Sequence, residues 1–242
     1  MGVLTPMFVI GLGLLVGIQH AFETDHIAAM STQMLKSKQD KKQFKQLIIN
    51  SITKSSFLGI IWGAGHTTAL VLIGFLIYAL TIPIHDSIFE GFEFLVGIML
   101  VFLGISTIFN KKIQFKHKHP HQHKDGTVHL DEHNHENSNH KHTHKSYLIG
   151  LVHGLAGSGS LVVLSAIALD DVGMILGFIV VFGVGSMIGM AFVGSLMGVP
   201  LAFTNRITSI QKILKYAAGI FSVIIGINIM YPIGIFGYLF GI

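Results

Sequence analysis

Long apolar runs alternate with short polar segments along this chain, a pattern that predicts six membrane-spanning helices. The predicted spans are about Val3–Met30, Ser56–Leu80, Phe92–Phe109, Tyr147–Leu169, Gly173–Val199 (closed by Pro200) and Ile213–Tyr231. An apolar tail, Pro232–Ile242, follows and is expected to extend the sixth helix or to lie in the membrane interface. We therefore predict an all-α polytopic membrane protein.

Composition supports the membrane prediction and excludes thiol chemistry. Of the 242 residues, 51% are apolar and 12% are charged, and the mean hydropathy is +0.65, well outside the range of soluble globular domains. The 28 glycines suit close packing of helices in lipid. Because the chain has no cysteine, it cannot form disulfides or thiolate metal sites, and a thiol-electron carrier of related architecture is excluded.

Positive charge is confined to three segments and predicts the orientation of the chain. Six of the sixteen Lys and Arg residues lie between spans one and two, seven between spans three and four, and three around the start of span six. The positive-inside rule places these segments in the cytoplasm and both termini outside the cytoplasmic membrane. The first apolar run is expected to be a span, since no cleavage site separates it from the polar residues after it. Basic charge here indicates topology, so no nucleic-acid partner is expected.

Three glycine motifs recur in the same order in the two halves of the chain. Gly-x-x-His begins at Gly17 and Gly150, Gly-x-Gly at Gly63 and Gly183, and Gly-Ile-x5-Gly-Ile at Gly97 and Gly219. Because each half holds three spans, the halves must insert with opposite topology, a recurring transporter design. We predict two inverted three-helix repeats, residues 1–109 and 147–242, joined by a cytoplasmic loop, residues 110–146. The alternative is independent selection of small residues for packing.

Four polar residues at the end of the first span, His20, Glu23, Asp25 and His26, are the main chemical signal. A carboxylate within a membrane helix costs about 2.5–3.5 kcal/mol on insertion scales, and imidazole with carboxylate is a typical ligand set for divalent transition metals. On an ideal helix Asp25 lies off the stripe of the other three. Either the helix is unwound here or Asp25 orients a histidine. The alternative is that Asp25 and His26 lie at the cytoplasmic surface.

Polar residues in two further spans extend this predicted metal site. His66 and Thr67 follow a Gly-Ala-Gly segment in span two, where small residues let a neighbouring helix approach. His153, the repeat equivalent of His20, is predicted to be a secondary ligand or a gate. A lone histidine is often structural, which is the alternative for His66. The full predicted ligand set is His20, Glu23, Asp25, His26, His66, Thr67 and His153.

The loop between spans three and four is rich in histidine. Ten histidines lie between His117 and His144, among lysines, asparagines and acidic residues. Such a segment cannot form a core, so we expect it to lack fixed structure without metal. Histidine tracts of this kind bind Zn, Ni, Co or Cu weakly at interchangeable sites, and their effective concentration makes capture useful. The alternative is a solvated linker.

The motifs resemble those of the nickel/cobalt transporter family (NiCoT/NicO), in the broad sense that includes its six-span, UreH-like branch. The family signature, histidine, four residues and Asp-His, matches His20 to His26, with Glu23 where many members have aspartate. Gly-His-Ser/Thr-Thr matches residues 65–68, and the His-Gly-Leu-Ala-Gly-Ser segment at His153 is similar to the UreH-like branch. An Asp-Thr motif of larger members is missing. The resemblance implies transport of Ni(II) or Co(II), with His20, Asp25, His26 and His66 contacting the ion.

We therefore expect a non-enzymatic transporter that takes up Ni(II), or alternatively Co(II), without a bound cofactor. The expected partners are the ion, the lipid bilayer and a cytoplasmic nickel chaperone or nickel-enzyme maturation protein. Efflux through the same site is the main alternative. An intramembrane metalloenzyme is disfavoured, because the motif lacks the His-Glu-x-x-His spacing of zinc proteases.

Overall fold

The computed structural model describes residues 6–35, 44–80, 86–109, 119–122, 128–131, 140–155, 172–204 and 208–235. These residues are helical except for two short strands and a few turn residues. The helices are α1 (Pro6–His20), α2 (Thr24–Leu35), α3 (Phe44–Leu80), α4 (Asp86–Ile108), α5 (His140–Gly154), α6 (Val172–Thr204) and α7 (Thr208–Met230), and the strands are β1 (His119–Gln122) and β2 (Val128–Asp131).

Four of the described helices are long and apolar enough to cross a membrane. Their spanning stretches are Gln46–Leu76, Phe89–Ile108, Gly173–Phe203 and Ser209–Ile233. α1 and α2 make a fifth span if they count as one helix, bent by 55° at a short break. The protein is therefore a multi-pass membrane protein. The predicted fourth span is described only as far as residue 155, so the count of six stays a prediction.

Several helix ends differ from the predicted spans. α3 begins at Phe44, twelve residues before the predicted start, and α5 begins at His140, seven residues early. The prediction that Pro200 closes the fifth span is wrong, because α6 continues to Thr204. A proline removes one helical hydrogen bond, but the buried side chains of Leu201 and Ala202 hold the last turn against the core.

The apolar tail continues the last helix in its described part. Tyr231–Ile235 forms a single π-helical turn directly after α7, which agrees with the first of the two predicted arrangements. Residues 236–242 of the tail lie outside the described part of the chain.

Apolar side chains lie on the surface of the protein and several polar side chains lie in its interior, as expected for a protein in lipid. Large apolar side chains such as Met7, Phe192 and Ile213 are exposed on the helix surfaces. Four histidines, in contrast, are at most 2% exposed: His20, His26, His66 and His153. Because lipid tails are as apolar as these side chains, burial of apolar groups alone does not hold the helices together.

Close backbone contacts through glycine hold the helices together instead. α6 packs against both α1 and α3, α3 packs against α5, and α4 packs against α7. A Cβ atom at Gly17 would clash with the carbonyl oxygen of Phe182 on α6, and one at Gly150 would clash with that of Trp62 on α3. These crossings bring the ends of α1 and α5 close to the middle of the bundle.

The histidine-rich loop contains a pair of strands, which differs from the expectation of no fixed structure. β1 and β2 pair antiparallel, with His119 opposite Asp131 and His121 opposite His129. The sequence of β2 alternates Val and Leu with His and Asp, which is the two-residue period of a strand. The remainder of the loop, apart from the start of α5, lies outside the described residues.

Replacing Gly150 with alanine should destabilise the protein. The added methyl group would overlap the backbone of Trp62, and overpacking of this kind lowers the free energy of unfolding by about 1–3 kcal/mol. Gly177→Ala is the matched control, since a Cβ there meets nothing within 4 Å and should be neutral or slightly stabilising. Thermal unfolding of the purified protein in detergent would measure both. Equal stability of the two variants would contradict the packing described for α3 and α5.

Candidate metal centre

A break between α1 and α2 places the first motif in the interior. α1 ends with tight hydrogen bonds from the Phe22 N–H to the Gln19 carbonyl (3.0 Å) and from the Glu23 N–H to the His20 carbonyl (3.1 Å). α2 starts at Thr24 and carries Asp25 in its first turn. Backbone N–H groups in the first turn of a helix lack helical partners and favour negative charge, which suits a carboxylate at this position.

Asp25 connects two histidines from different parts of the chain. Its Oδ1 accepts hydrogen bonds from the backbone N–H and the ring Nδ1 of His26, both at 2.9 Å. Its Oδ2 lies 2.9 Å from Nε2 of His153 on α5. Because an ionised carboxylate only accepts hydrogen bonds, both ring nitrogens are assigned as donors. Asp25 therefore fixes the orientation of both rings.

His20 is held in a similar way by a neighbouring carboxylate. Nδ1 of His20 lies 2.7 Å from Oε1 of Glu23, whose side chain is half exposed. The ring centroid of His20 is 4.4 Å from that of His26 and 5.1 Å from that of His66. His26 is in turn 4.5 Å from His153, again between ring centroids. Four imidazoles from α1, α2, α3 and α5 thus form one compact cluster.

The cluster presents several ring nitrogens without a partner. Among the described residues, nothing hydrogen-bonds to Nε2 of His20, Nε2 of His26, Nδ1 of His153 or either ring nitrogen of His66. In His20, His26 and His153 the other ring nitrogen is bound to a carboxylate. The unpartnered nitrogen of each of these rings therefore carries a free lone pair. A carboxylate on the far nitrogen is the usual support of a metal-binding histidine.

Two overlapping groups of donor atoms have the spacing needed to hold a metal ion. The first group is His20, His26 and His66, and the second is Asp25, His26 and His153. Within each group the donor atoms all lie within 4.8 Å of one another. His26 belongs to both groups, so its ring connects the two positions.

The structure brings together six of the seven predicted ligands. His20, Glu23, Asp25, His26, His66 and His153 all take part in the cluster. Both arrangements considered for Asp25 occur at once, since the helix is broken before it and its carboxylate orients two histidines. Metal binding by these residues stays a prediction.

Thr67 lies in a different environment. Its hydroxyl donates to the carbonyl oxygen of Gly63 at 2.8 Å and lies 3.2 Å from that of Gly183. A Cβ atom at Gly183 would press on the Thr67 side chain. These contacts give Thr67 a packing role where α3 crosses α6.

Sequence reasoning missed the aromatic residues that enclose the cluster. The Trp62 ring is fully buried and lies 5.0 Å from His26 and 5.1 Å from His153, between ring centroids. Phe182 lies 5.3 Å from His20. Trp62 is the only tryptophan in the chain and stands four residues before His66, so helical periodicity was a signal that it shares the face of His66.

A cavity reaches the cluster from the side of the α1–α2 break. It has a volume of about 370 Å³ and is lined by Val16, Gln19, His20, Phe22 and Glu23. His20 is the one member of the first donor group among the residues that line this cavity, so the cavity borders the cluster at His20.

Comparison with known proteins identifies the family. A family model described as "Cytochrome C biogenesis protein transmembrane region" matches residues 64–228. The urease accessory protein UreH of Bacillus sp. (strain TB-90) is 33% identical over 232 residues, which cover 96% of this chain and 94% of that protein. No solved structure matches the chain. The chain therefore belongs to the family of cytochrome C biogenesis transmembrane regions and is a UreH-like membrane protein.

Proposed function

We propose that this protein carries a divalent transition metal ion, Ni(II) or alternatively Co(II), into the cytoplasm through its buried histidine cluster. The observation that carries the proposal is the convergence of unpartnered imidazole nitrogens on His20, His26 and His66. A buried polar atom without a partner costs about 1–3 kcal/mol. A bound cation would satisfy three such atoms together.

The donor set suits this class of ion. Neutral imidazole binds Zn, Cu, Fe and Ni, whereas Mg and Ca prefer oxygen ligands. The carboxylates of Asp25 and Glu23 hydrogen-bond to the ring nitrogens of His26 and His20 that would not bind the ion, and they would supply negative charge next to it. Three imidazoles do not fill the coordination shell of the ion and leave positions free for water. An open site of this kind suits an ion that must be released again, whereas a closed site suits a permanently bound ion.

The depth of the cluster supports a role in transport. α1 has 15 residues, which at 1.5 Å per residue span roughly 22 Å, less than the hydrocarbon core of about 30 Å. His20, at the end of α1, therefore lies within the membrane if α1 begins at its surface. Transporters commonly bind their substrates near the midplane at broken helices.

The two donor groups define a path for the ion. The cation would meet the half-exposed carboxylate of Glu23 first and then bind among His20, His26 and His66. Since His26 also belongs to the second group, the ion could step to Asp25 and His153. His153 lies on α5, so the second position connects the two halves of the chain.

Equivalent contacts support two inverted repeats. The sequence motifs align Gly17 with Gly150 and Trp62 with Phe182. Gly17 packs on the carbonyl of Phe182, and Gly150 packs on the carbonyl of Trp62. A two-fold exchange of the halves would convert one contact into the other.

A second set of glycine contacts obeys the same exchange. Gly65 packs on the carbonyl of Tyr147, and its equivalent Gly185 packs on the carbonyl of Leu14, which aligns with Tyr147. The proposed ligands are less symmetric, because the second repeat has Ser186 at the position equivalent to His66. The proposed repeats would therefore share one asymmetric cluster.

The choice of nickel and the inward direction rest on the relatives. The motifs resemble the nickel/cobalt transporter family, and the UreH relative is named as an accessory protein of urease. Uptake would supply the ion to a cytoplasmic chaperone or nickel-enzyme maturation protein. The orientation proposed from the distribution of Lys and Arg has both termini outside and the histidine-rich loop in the cytoplasm.

Cells that produce the protein should accumulate nickel, and His66→Ala should abolish the accumulation. The substitution removes the ligand whose two ring nitrogens both lack partners. Ser222→Ala is the matched control, since Ser222 is also a buried polar residue but bonds to the Leu100 carbonyl between α7 and α4. Cell-associated Ni, Co, Zn, Cu and Mn would be measured together by elemental analysis.

The measured metals distinguish the possible ions, and the sign of the change distinguishes uptake from efflux. A lower nickel content in producing cells would indicate efflux through the same cluster. Unchanged accumulation in a well-expressed His66→Ala variant would contradict the proposed site.

Asp25→Asn should weaken transport while leaving the protein folded. The amide keeps the shape of the carboxylate but loses its charge and one acceptor oxygen, so it cannot orient His26 and His153 together. Loss of such a supporting group typically lowers metal affinity or activity by about 10–100-fold. Nickel uptake into proteoliposomes at several concentrations would test this, and equal uptake by variant and wild type would show that the carboxylate does not support the site.

A further inference from the structure

A buried serine on α6 has no hydrogen-bond partner. Ser186 is fully buried, and nothing among the described residues hydrogen-bonds to its hydroxyl. Elsewhere on α6, the Ser195 hydroxyl donates to the carbonyl of Ala191 four residues earlier, a common way to satisfy a hydroxyl within a helix. The corresponding carbonyl for Ser186, that of Phe182, is packed against Gly17 of α1. The Ser186 hydroxyl is therefore available to a ligand.

The contacts between α3 and α6 show that these helices run antiparallel where they cross. Gly63 packs on Met187, and Gly183 packs on Thr67. The residue numbers in contact therefore rise along α3 while they fall along α6. Thr67 and Met187 mark the lines along which the two helices face each other.

This crossing places Ser186 on the same side of the helix pair as His66. His66 comes one residue before Thr67, and Ser186 comes one residue before Met187. Each side chain is therefore turned by about 100° in the same sense from the line of contact. Because the helices are antiparallel, equal turns bring both side chains to the same side of the pair.

That side of the helix pair borders the histidine cluster. The ring of His66 lies 5.1 Å from that of His20, and the ring of Phe182 lies 5.3 Å from it, between centroids. Phe182 is four residues before Ser186 and so shares its face of α6. A Cβ atom at Gly17, one turn before His20 on α1, would lie 3.0 Å from the backbone nitrogen of Ser186. These contacts direct the Ser186 side chain toward the first donor group.

We propose that the Ser186 hydroxyl is an additional ligand of the ion bound by His20, His26 and His66. The proposal rests on the metal transport proposed above and adds to that site a ligand from the second half of the chain. A hydroxyl oxygen carries two lone pairs, and three imidazoles leave coordination positions open. The ion would satisfy the buried hydroxyl together with the unpartnered ring nitrogens.

The alternative role for Ser186 is packing, since a small side chain lets α1 approach α6. Alanine would serve this role equally well. Removal of a buried hydroxyl that has no partner should also leave the metal-free protein equally stable or more stable. A packing role thus predicts that Ser186→Ala binds metal as the wild type does.

Two substitutions at position 186 in the full-length protein in detergent distinguish these roles. Ser186→Ala removes the oxygen, and Ser186→Cys replaces it with sulfur at nearly the same size. Because the chain has no cysteine, a sulfur-to-metal charge-transfer absorption would come only from the introduced thiol. Ser195→Ala and Ser195→Cys are matched controls on the same helix, roughly 13 Å further along. Thermal unfolding and the near-ultraviolet spectrum would be recorded during titration with Ni²⁺ alone.

We expect the nickel concentration for half-maximal thermal stabilisation to rise about tenfold or more in Ser186→Ala, because a ligand is lost. Its unfolding temperature without metal should equal or exceed that of the wild type. Ser186→Cys should develop the charge-transfer absorption when nickel is added, since a coordinating thiol is deprotonated by the metal. Both Ser195 variants should keep the wild-type nickel dependence and show no such absorption.

Two results would overturn the proposal and leave transport through the histidine cluster standing. One is a wild-type nickel dependence in Ser186→Ala. The other is the absence of the absorption in a Ser186→Cys protein that nickel still stabilises. A wild-type protein that nickel does not stabilise would instead contradict the proposed function, and this ligand with it.

Discussion

The site depends on one interaction, the hydrogen bonds of Asp25 to His26 and His153. This carboxylate is positioned by the first turn of α2, where it also accepts a backbone N–H group. By holding one nitrogen of each ring it leaves the other free, and it joins α2 to α5. The buried, unpartnered nitrogens that result are costly in an apolar interior. The free nitrogen of His26 lies with those of His20 and His66, and this convergence is the physical reason for proposing a cation at this place.

Close packing makes the cluster possible. Histidines from four helices can approach only if the backbones do, and glycines at the crossings of α1 with α6 and of α3 with α5 permit this. The chain contains no cysteine, so its interior offers no thiolate ligand. The buried imidazoles are the metal-binding side-chain type that the described bundle does contain.

Sequence reasoning found the apolar helices because long apolar runs are the usual composition of a membrane span. It found the polar residues among them because these violate that composition. It could not place the end of α6, since the turn after Pro200 packs against the core through Leu201 and Ala202. It also missed Trp62, because an apolar residue in an apolar span attracts no attention by its type, and only its spacing of four residues from His66 placed it on the same helix face. The strand register in the histidine-rich loop likewise depends on pairing between residues that are not adjacent in sequence.

Nickel K-edge X-ray absorption of the purified protein tests the central claim most directly. A variant lacking residues 112–138 and carrying His140→Asn, His142→Asn and His144→Asn would be used, so that none of the ten loop histidines contributes. The account predicts at least three imidazole nitrogens about 2.0–2.1 Å from the metal, the usual range for histidine ligands, and loss of this signal in His66→Ala. A nickel ion surrounded only by oxygen, or a spectrum unchanged by His66→Ala, would contradict it.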